Sequence, residues 1–251
     1  MQIMVNGQLV QYKDEGKGRL VILLHGWGAS TGTFDELTTH LSKKFRVIRL
    51  DFPGFGGSPK PTGSWGVGEY AQLVAGLISK LKLGSIYATI GHSFGGRVII
   101  KGIANGNFRP EKVVLIGTAG VRPSQSVKRS IYKSIAKVGK TVTLLPGLKS
   151  LRPSLRKKLY GAAGASDYLN AGDMQQIFLN TINEDLLPLV HNISQPTLLI
   201  WGENDSETPV RDAQKIIREL PDGQLVVVPG VGHFVYNDDS KAVMKELDAF
   251  L

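Results

Sequence analysis

The chain has 251 residues, 42% hydrophobic and 20% charged, enough for one sizeable core with an insertion and unlike a disordered or fibrous protein. It contains no cysteine, which excludes a disulfide scaffold, a thiolate metal site and a cysteine nucleophile. No apolar run is long enough for a transmembrane helix, and the N-terminus shows no basic-then-apolar leader, so a cytoplasmic protein is expected.

Gln2–Val5 and Gln8–Tyr12 flank Asn6-Gly7, a strong hairpin signal. Leu20-Val21-Ile22-Leu23-Leu24 is a continuous apolar run, as in strands covered on both faces. It runs into His25-Gly26-Trp27-Gly28, and a helix is predicted from about Thr33 to Lys43. Phe45–Leu50 reads as a strand closing on the loop Asp51–Pro59, rich in Gly and Pro. A helix over Gly68–Leu81 then leads to a strand at Ser85–Ile90, a turn at Gly91-His92-Ser93-Phe94-Gly95-Gly96, a helix at Arg97–Ala104 and a strand at Lys112–Ile116. After a long interruption, alternation resumes with a strand at Pro196–Gly202, a helix at Val210–Leu220, a strand at Gln224–Val228 and a helix from Ser240 to Leu251. Repeated strand–helix units with buried strands predict an α/β fold: an open, mostly parallel sheet with helices on both faces. Functional loops of such sheets gather at the carboxyl ends of the strands.

The interruption, residues 121–190, has a helical pattern: Val127, Ile131, Ile135, Val138 and Val142 form one apolar stripe. A further helix is predicted to start at Ser166-Asp167 and run through Met174 and Phe178. The net charge of +9 concentrates here, with eleven Lys and Arg and no Asp or Glu between Val121 and Ala165. An insertion after a strand's carboxyl end covers the functional edge, so 121–190 reads as a lid on a core formed by 1–120 and 191–251.

A serine between small residues at a strand-to-helix turn can be held on a sharp bend with its hydroxyl exposed. Side chains at Gly91 or Gly95 would crowd the packing there. A serine hydroxyl needs a base, and the base an orienting acid. Of the five histidines, His25, His40, His92, His191 and His233, His233 is the base candidate, because Val231-Gly232-His233-Phe234 follows the last strand. His92 would point the other way along the turn. After the preceding strand, Trp201-Gly202-Glu203-Asn204-Asp205-Ser206-Glu207 offers three carboxylates. Glu203 and Glu207 read as solvated loop charges, whereas Asp205 suits a fixed hydrogen bond to an imidazole. The chain order Ser93, Asp205, His233 is that of serine hydrolases built on such a turn.

These stretches, with Asp51-Phe52-Pro53-Gly54-Phe55-Gly56-Gly57-Ser58 and Gly230-Val231-Gly232-His233, resemble the α/β-hydrolase fold superfamily over essentially the whole chain. The resemblance implies an oxyanion hole made by the backbone N–H groups of Trp27 and Phe94, two donors for the charge of a tetrahedral intermediate. Loop 51–58 is read as turn structure. Epoxide hydrolases and haloalkane dehalogenases of the superfamily carry aspartate where this chain has Ser93. Its C–C hydrolases of meta-cleavage products usually carry asparagine where this chain has His92, and proline iminopeptidases carry Gly-Ser-Trp-Gly. The remaining implication is a serine esterase acting on small to medium carboxylic esters without metal or organic cofactor. Leu155, Tyr160, Tyr168, Met174 and Phe178 of the lid would furnish an apolar pocket. Alternatives are a thioesterase or methyl esterase acting on carrier-bound acyl groups, a C–C bond hydrolase, and a non-catalytic small-ligand receptor on the same fold. The basic lid is either a solvated face or a docking surface for an acidic carrier protein or anionic lipid. No nucleic-acid module accompanies the charge.

Overall fold

Asn6 and Gly7 adopt φ values of 50° and 78°, the left-handed pair of a tight hairpin turn, and so join β1 (Gln2–Val5) to β2 (Gln8–Glu15). The computed structural model describes residues 1–122 and 171–251. The other strands among them are β3 (Leu20–Leu24), β4 (Arg46–Leu50), β5 (Ile86–His92), β6 (Lys112–Ile116), β7 (Thr197–Gly202) and β8 (Gly223–Val228). They form one sheet in the order β1-β2-β4-β3-β5-β6-β7-β8. From β4 to β8 every neighbouring pair is parallel, while the β1–β2 hairpin joins antiparallel at one side. The fold is that of an α/β hydrolase.

Strand periodicity sorts β3 between two cores. Leu20, Ile22 and Leu24 pack with α2 (Val67–Lys80) through Tyr70 and Leu73, and with α3 (Phe94–Ala104) through Val98 and Ile99. Val21 and Leu23 pack on the opposite face with Leu37 and Leu41 of α1 (Asp35–Leu41) and Val243 and Leu247 of α7 (Ser240–Phe250). All five β3 side chains are buried, each such Leu, Val or Ile contributing roughly 1.5–3 kcal/mol.

The predicted elements differ from the observed ones where the sheet overrides local signals. β2 continues three residues beyond Tyr12 because Tyr12–Glu15 pairs with Val47–Leu50 of β4 after leaving β1. β5 runs through Gly91 and His92, which pair with Leu115 and Ile116, although Gly-His reads as turn. The helix predicted over 33–43 is a 3-10 turn (Thr31–Phe34) followed by α1. A one-turn helix, α6 (Val235–Asp238), follows His233 and had no predicted counterpart.

Of the predicted lid, the described part holds a 3-10 turn (Gly172–Met174), α4 (Gln175–Asn183) and a second 3-10 turn (Leu187–Asn192). Then α5 (Val210–Glu219) follows β7. The apolar stripe from Val127 to Val142, the basic cluster beyond Arg122, and Leu155, Tyr160 and Tyr168 lie outside the described residues. Among the described residues no helix is long and apolar enough to cross a membrane.

Candidate active site

Because β3 to β8 run parallel, the residues that follow their carboxyl ends share one edge of the sheet. His25 follows β3, Asp51 follows β4, Ser93 follows β5, and the loops beyond β7 and β8 carry Asp205 and His233.

Ser93 sits between β5 and α3 with φ 49° and ψ −106°, a conformation sparsely allowed for a residue with a β-carbon. The bend is tied down on both sides. Its N–H donates to the Ile116 carbonyl at 3.0 Å, and its carbonyl accepts from Ala119 at 3.2 Å. The flanking glycines are sterically required: a Cβ on Gly95 would lie 1.9 Å from the Leu24 carbonyl oxygen, and one on Gly91 2.7 Å from the Gly95 carbonyl carbon. Helix α3 therefore starts at Phe94, three residues before the predicted Arg97, with glycines in its first turn where strand and helix backbones meet.

His233 Nδ1 lies 2.8 Å from Asp205 Oδ2, and both residues are buried. Asp205 is an ionised acceptor held from several directions. Its Oδ1 accepts from the N–H groups of Glu207 (2.9 Å) and Thr208 (2.8 Å), and its Oδ2 accepts from Thr208 Oγ1 (2.8 Å). Burial pushes the Asp205 carboxyl up, but the hydrogen bond and charge of His233 and the two bonds from Thr208 outweigh it and hold the group below its ordinary pKa. The buried Trp201 indole secures the loop by donating to the Thr208 carbonyl at 2.5 Å. With Nδ1–H committed to Asp205, the neutral imidazole carries its lone pair on Nε2. A Cβ on Gly117 would stand 3.3 Å from His233 Nδ1 and 3.4 Å from Asp205 Oδ2; the end of β6 thus floors the pair.

The remaining histidines take structural places. His92 packs against His233 and Tyr236. Its Nε2–H donates to the His233 carbonyl at 3.1 Å, and its ring lies 4.7 Å from the His233 ring and 4.9 Å from Tyr236. Burial above all, and then the His233 charge, pushes its pKa down to about 3. His25 donates Nδ1–H to the Gly26 carbonyl at 2.7 Å and accepts the Phe52 N–H on Nε2 at 3.0 Å. Burial pushes it down to about 4. It ties the Gly26-Trp27 loop to the segment after β4. His40 pairs with Asp248 at the surface, and His191 is exposed.

Among the described residues, no acceptor engages the backbone N–H of Trp27 or Phe94. The Trp27 ring packs edge-on against Phe55 (4.9 Å) and Phe94 (5.5 Å), and against Phe178 of α4 (5.1 Å). Loop 51–58 is turn structure, as read. Asp51 accepts from the N–H groups of Thr31 (2.6 Å) and Gly57 (2.9 Å), and Ser58 Oγ donates back to the Asp51 carbonyl at 2.7 Å.

Several contributors carry no sequence pattern. Thr208 had only its spacing three residues after Asp205, the span of a side-chain-to-backbone turn. Arg97 of α3, 3% exposed, donates Nη1–H to the carbonyls of Thr181 and Glu184, both at 2.9 Å, and so fastens the end of α4. Burial lowers its pKa to about 10. Of the two carboxylates expected to be solvated, Glu203 accepts the Gly230 N–H at 2.9 Å in an exposed loop. Glu207 is exposed as well, and its Oε2 stands 3.4 Å from His233 Nε2.

The family model described as "Alpha/beta hydrolase family" matches residues 21–246. The chain belongs to the alpha/beta hydrolase family. As an alpha/beta hydrolase it is similar to the pimeloyl-[acyl-carrier protein] methyl ester esterase of Nitrosomonas europaea, with 26% identity covering 89% of this chain and 92% of that protein. It is also similar to the 2-hydroxy-6-oxo-6-phenylhexa-2,4-dienoate hydrolase of Burkholderia cepacia, with 25% identity covering 90% of this chain and 85% of that one. Its fold matches the solved structure of a thermophilic esterase from Thermogutta terrifontis with a TM-score of 0.75 at 21% identity, covering 100% of this chain and 97% of the other. The protein is a hydrolase, and the chemistry of its relatives spans more than one bond type.

Proposed function

We propose that this hydrolase cleaves carboxylic esters through an acyl-enzyme on Ser93, with His233 as general base and Asp205 as its orienting acid. The observation that carries the reading is the 2.8 Å bond between His233 Nδ1 and Asp205 Oδ2, at the sheet edge where Ser93 stands on a strained turn. In the reaction, Ser93 Oγ attacks the ester carbonyl while His233 Nε2 takes its proton. The backbone N–H groups of Trp27 and Phe94 stabilise the tetrahedral oxyanion, each such donor being worth about 10²–10³ in kcat. The imidazolium, stabilised by Asp205, then protonates the leaving alcohol. Water activated by Nε2 attacks the acyl-enzyme, and Ser93 departs with its proton restored. The rings of Trp27, Phe55 and Phe178 support an apolar acyl pocket under α4.

A series of p-nitrophenyl esters of increasing acyl length tests the assignment. Hydrolysis with an early burst of p-nitrophenol, abolished in Ser93→Ala, is expected. No hydrolysis across the series, with turnover of a vinylogous diketone instead, would move the activity to carbon–carbon cleavage, the reading favoured by the dienoate-hydrolase relative, whose named substrate carries no ester. The methyl-esterase relative, whose named substrate rides on an acyl-carrier protein, together with the eleven basic residues between Val121 and Ala165, supports docking of an acidic carrier. Turnover of a carrier-bound methyl ester would then fall steeply with salt.

A further inference from the structure

The ester-cleaving reading, on which this inference rests, leaves Glu207 without a part. That side chain rises from the loop after β7, two residues beyond Asp205, and places Oε2 3.4 Å from His233 Nε2. This is the ring nitrogen that must receive the Ser93 proton, so His233 lies between two carboxylates, Asp205 at Nδ1 and Glu207 at Nε2. Among the described residues, the other groups that face the ring differ in kind. His92, from the end of β5, is buried and donates to the His233 carbonyl; the Tyr236 hydroxyl meets His92 Nδ1 at 3.4 Å. Thr208 Oγ1 lies 3.3 Å from Nδ1, and Asp238, on the same segment as His233, accepts from the Gly232 N–H at 3.1 Å.

We propose that Glu207 is a positioning residue for the His233 proton, holding the imidazolium at Nε2 and so setting the pH at which the base becomes available to Ser93. With both ring nitrogens protonated, and each facing a carboxylate, the imidazole has no lone pair to accept the Ser93 proton. As pH rises, Nε2 loses its proton to water and the lone pair turns to the nucleophile. Glu207 exchanges nothing covalently. An opposite charge at this distance favours the protonated base. The Glu207 side chain is 53% exposed, so solvent screens the pair, and an effect of about one pH unit, or tenfold, is expected.

The test uses the full-length protein and its Glu207→Gln variant. The imidazole of His233 is titrated by NMR, its signal identified by its loss in His233→Asn. In parallel, the rate of inactivation by an uncharged alkyl fluorophosphonate is followed across pH. The His233 pKa should fall by about one unit in Glu207→Gln, and the acid limb of inactivation should move with it. The variant-to-wild-type rate ratio would then be about tenfold higher on the acid side than on the alkaline side. A His233 pKa that stays or rises in the variant overturns the proposal, as does one that falls without moving the acid limb. A protein whose His233 titrates as expected but which never reacts with the probe refutes the serine-hydrolase reading and leaves the Glu207–His233 coupling standing.

Discussion

Ser93 holds φ 49°, a backbone state costing on the order of 1–3 kcal/mol, kept by hydrogen bonds to Ile116 of β6 and to Ala119 beyond it and by glycines that let α3 touch β3. Replacing Ser93 with Ala keeps that backbone and removes only the proposed nucleophile, so under the proposed ester chemistry turnover should fall by about 10⁴ or more with little change in stability; matched kinetics and urea melts check both. Asp205→Asn preserves shape but reverses the tautomer preference of His233, and kcat should fall by about 10³–10⁴. A variant within tenfold of wild type would remove Asp205 from the mechanism. Three buried groups also make stability depend on pH. His25 and His92, held neutral with pKa values of about 4 and about 3, bind protons in the unfolded chain near pH 6.5 but not in the fold. Their contribution is complete above pH 6.5 and is lost as pH falls from there toward their folded values, roughly 2 kcal/mol for each by pH 5. Asp205, held below its ordinary value, adds stability that is present above about pH 4 and lost below it. Urea midpoints should therefore be flat above pH 7 and fall between pH 6.5 and 5.

At the scale of elements, the strands were the most legible part of the chain. β3 and β6 coincide with their predicted runs because both faces are covered and the apolar stretch has no internal turn signal. Helix starts were less so, since the true start of α3 hides in glycines that ordinarily end helices. These glycines answer to tertiary contact, which no local pattern encodes. Gly95→Ala would drive a Cβ into the Leu24 carbonyl, and a loss of about 3 kcal/mol or more is expected. Arg97 links α3 to α4 and was invisible to pattern reading, being a charge on a helix face that looks solvated. Arg97→Met, which fits the space but donates nothing, leaves the carbonyls of Thr181 and Glu184 unpaired and should destabilise by about 2–4 kcal/mol. Since α4 carries Phe178 against Trp27, the same variant should raise KM for long-chain esters more than for acetate.

For the whole molecule, one topological fact gathers the site: six neighbouring strands run parallel, so residues up to 140 positions apart in sequence, from Ser93 to His233, meet at one edge. That is why Ser93, Asp205 and His233 could be marked from the sequence as candidates, each expected just beyond a strand and each found there. Glu207 could not, because a half-exposed carboxylate beside a loop carries no periodicity, and only the fold brings it to Nε2. The most direct measurement is mass spectrometry of the protein after reaction with a fluorophosphonate. A single phosphonyl adduct on the peptide containing Ser93 is expected, absent in Ser93→Ala and formed at least about a thousandfold more slowly in His233→Asn. No adduct, or an adduct on another residue with Ser93 unmodified, would contradict the assignment.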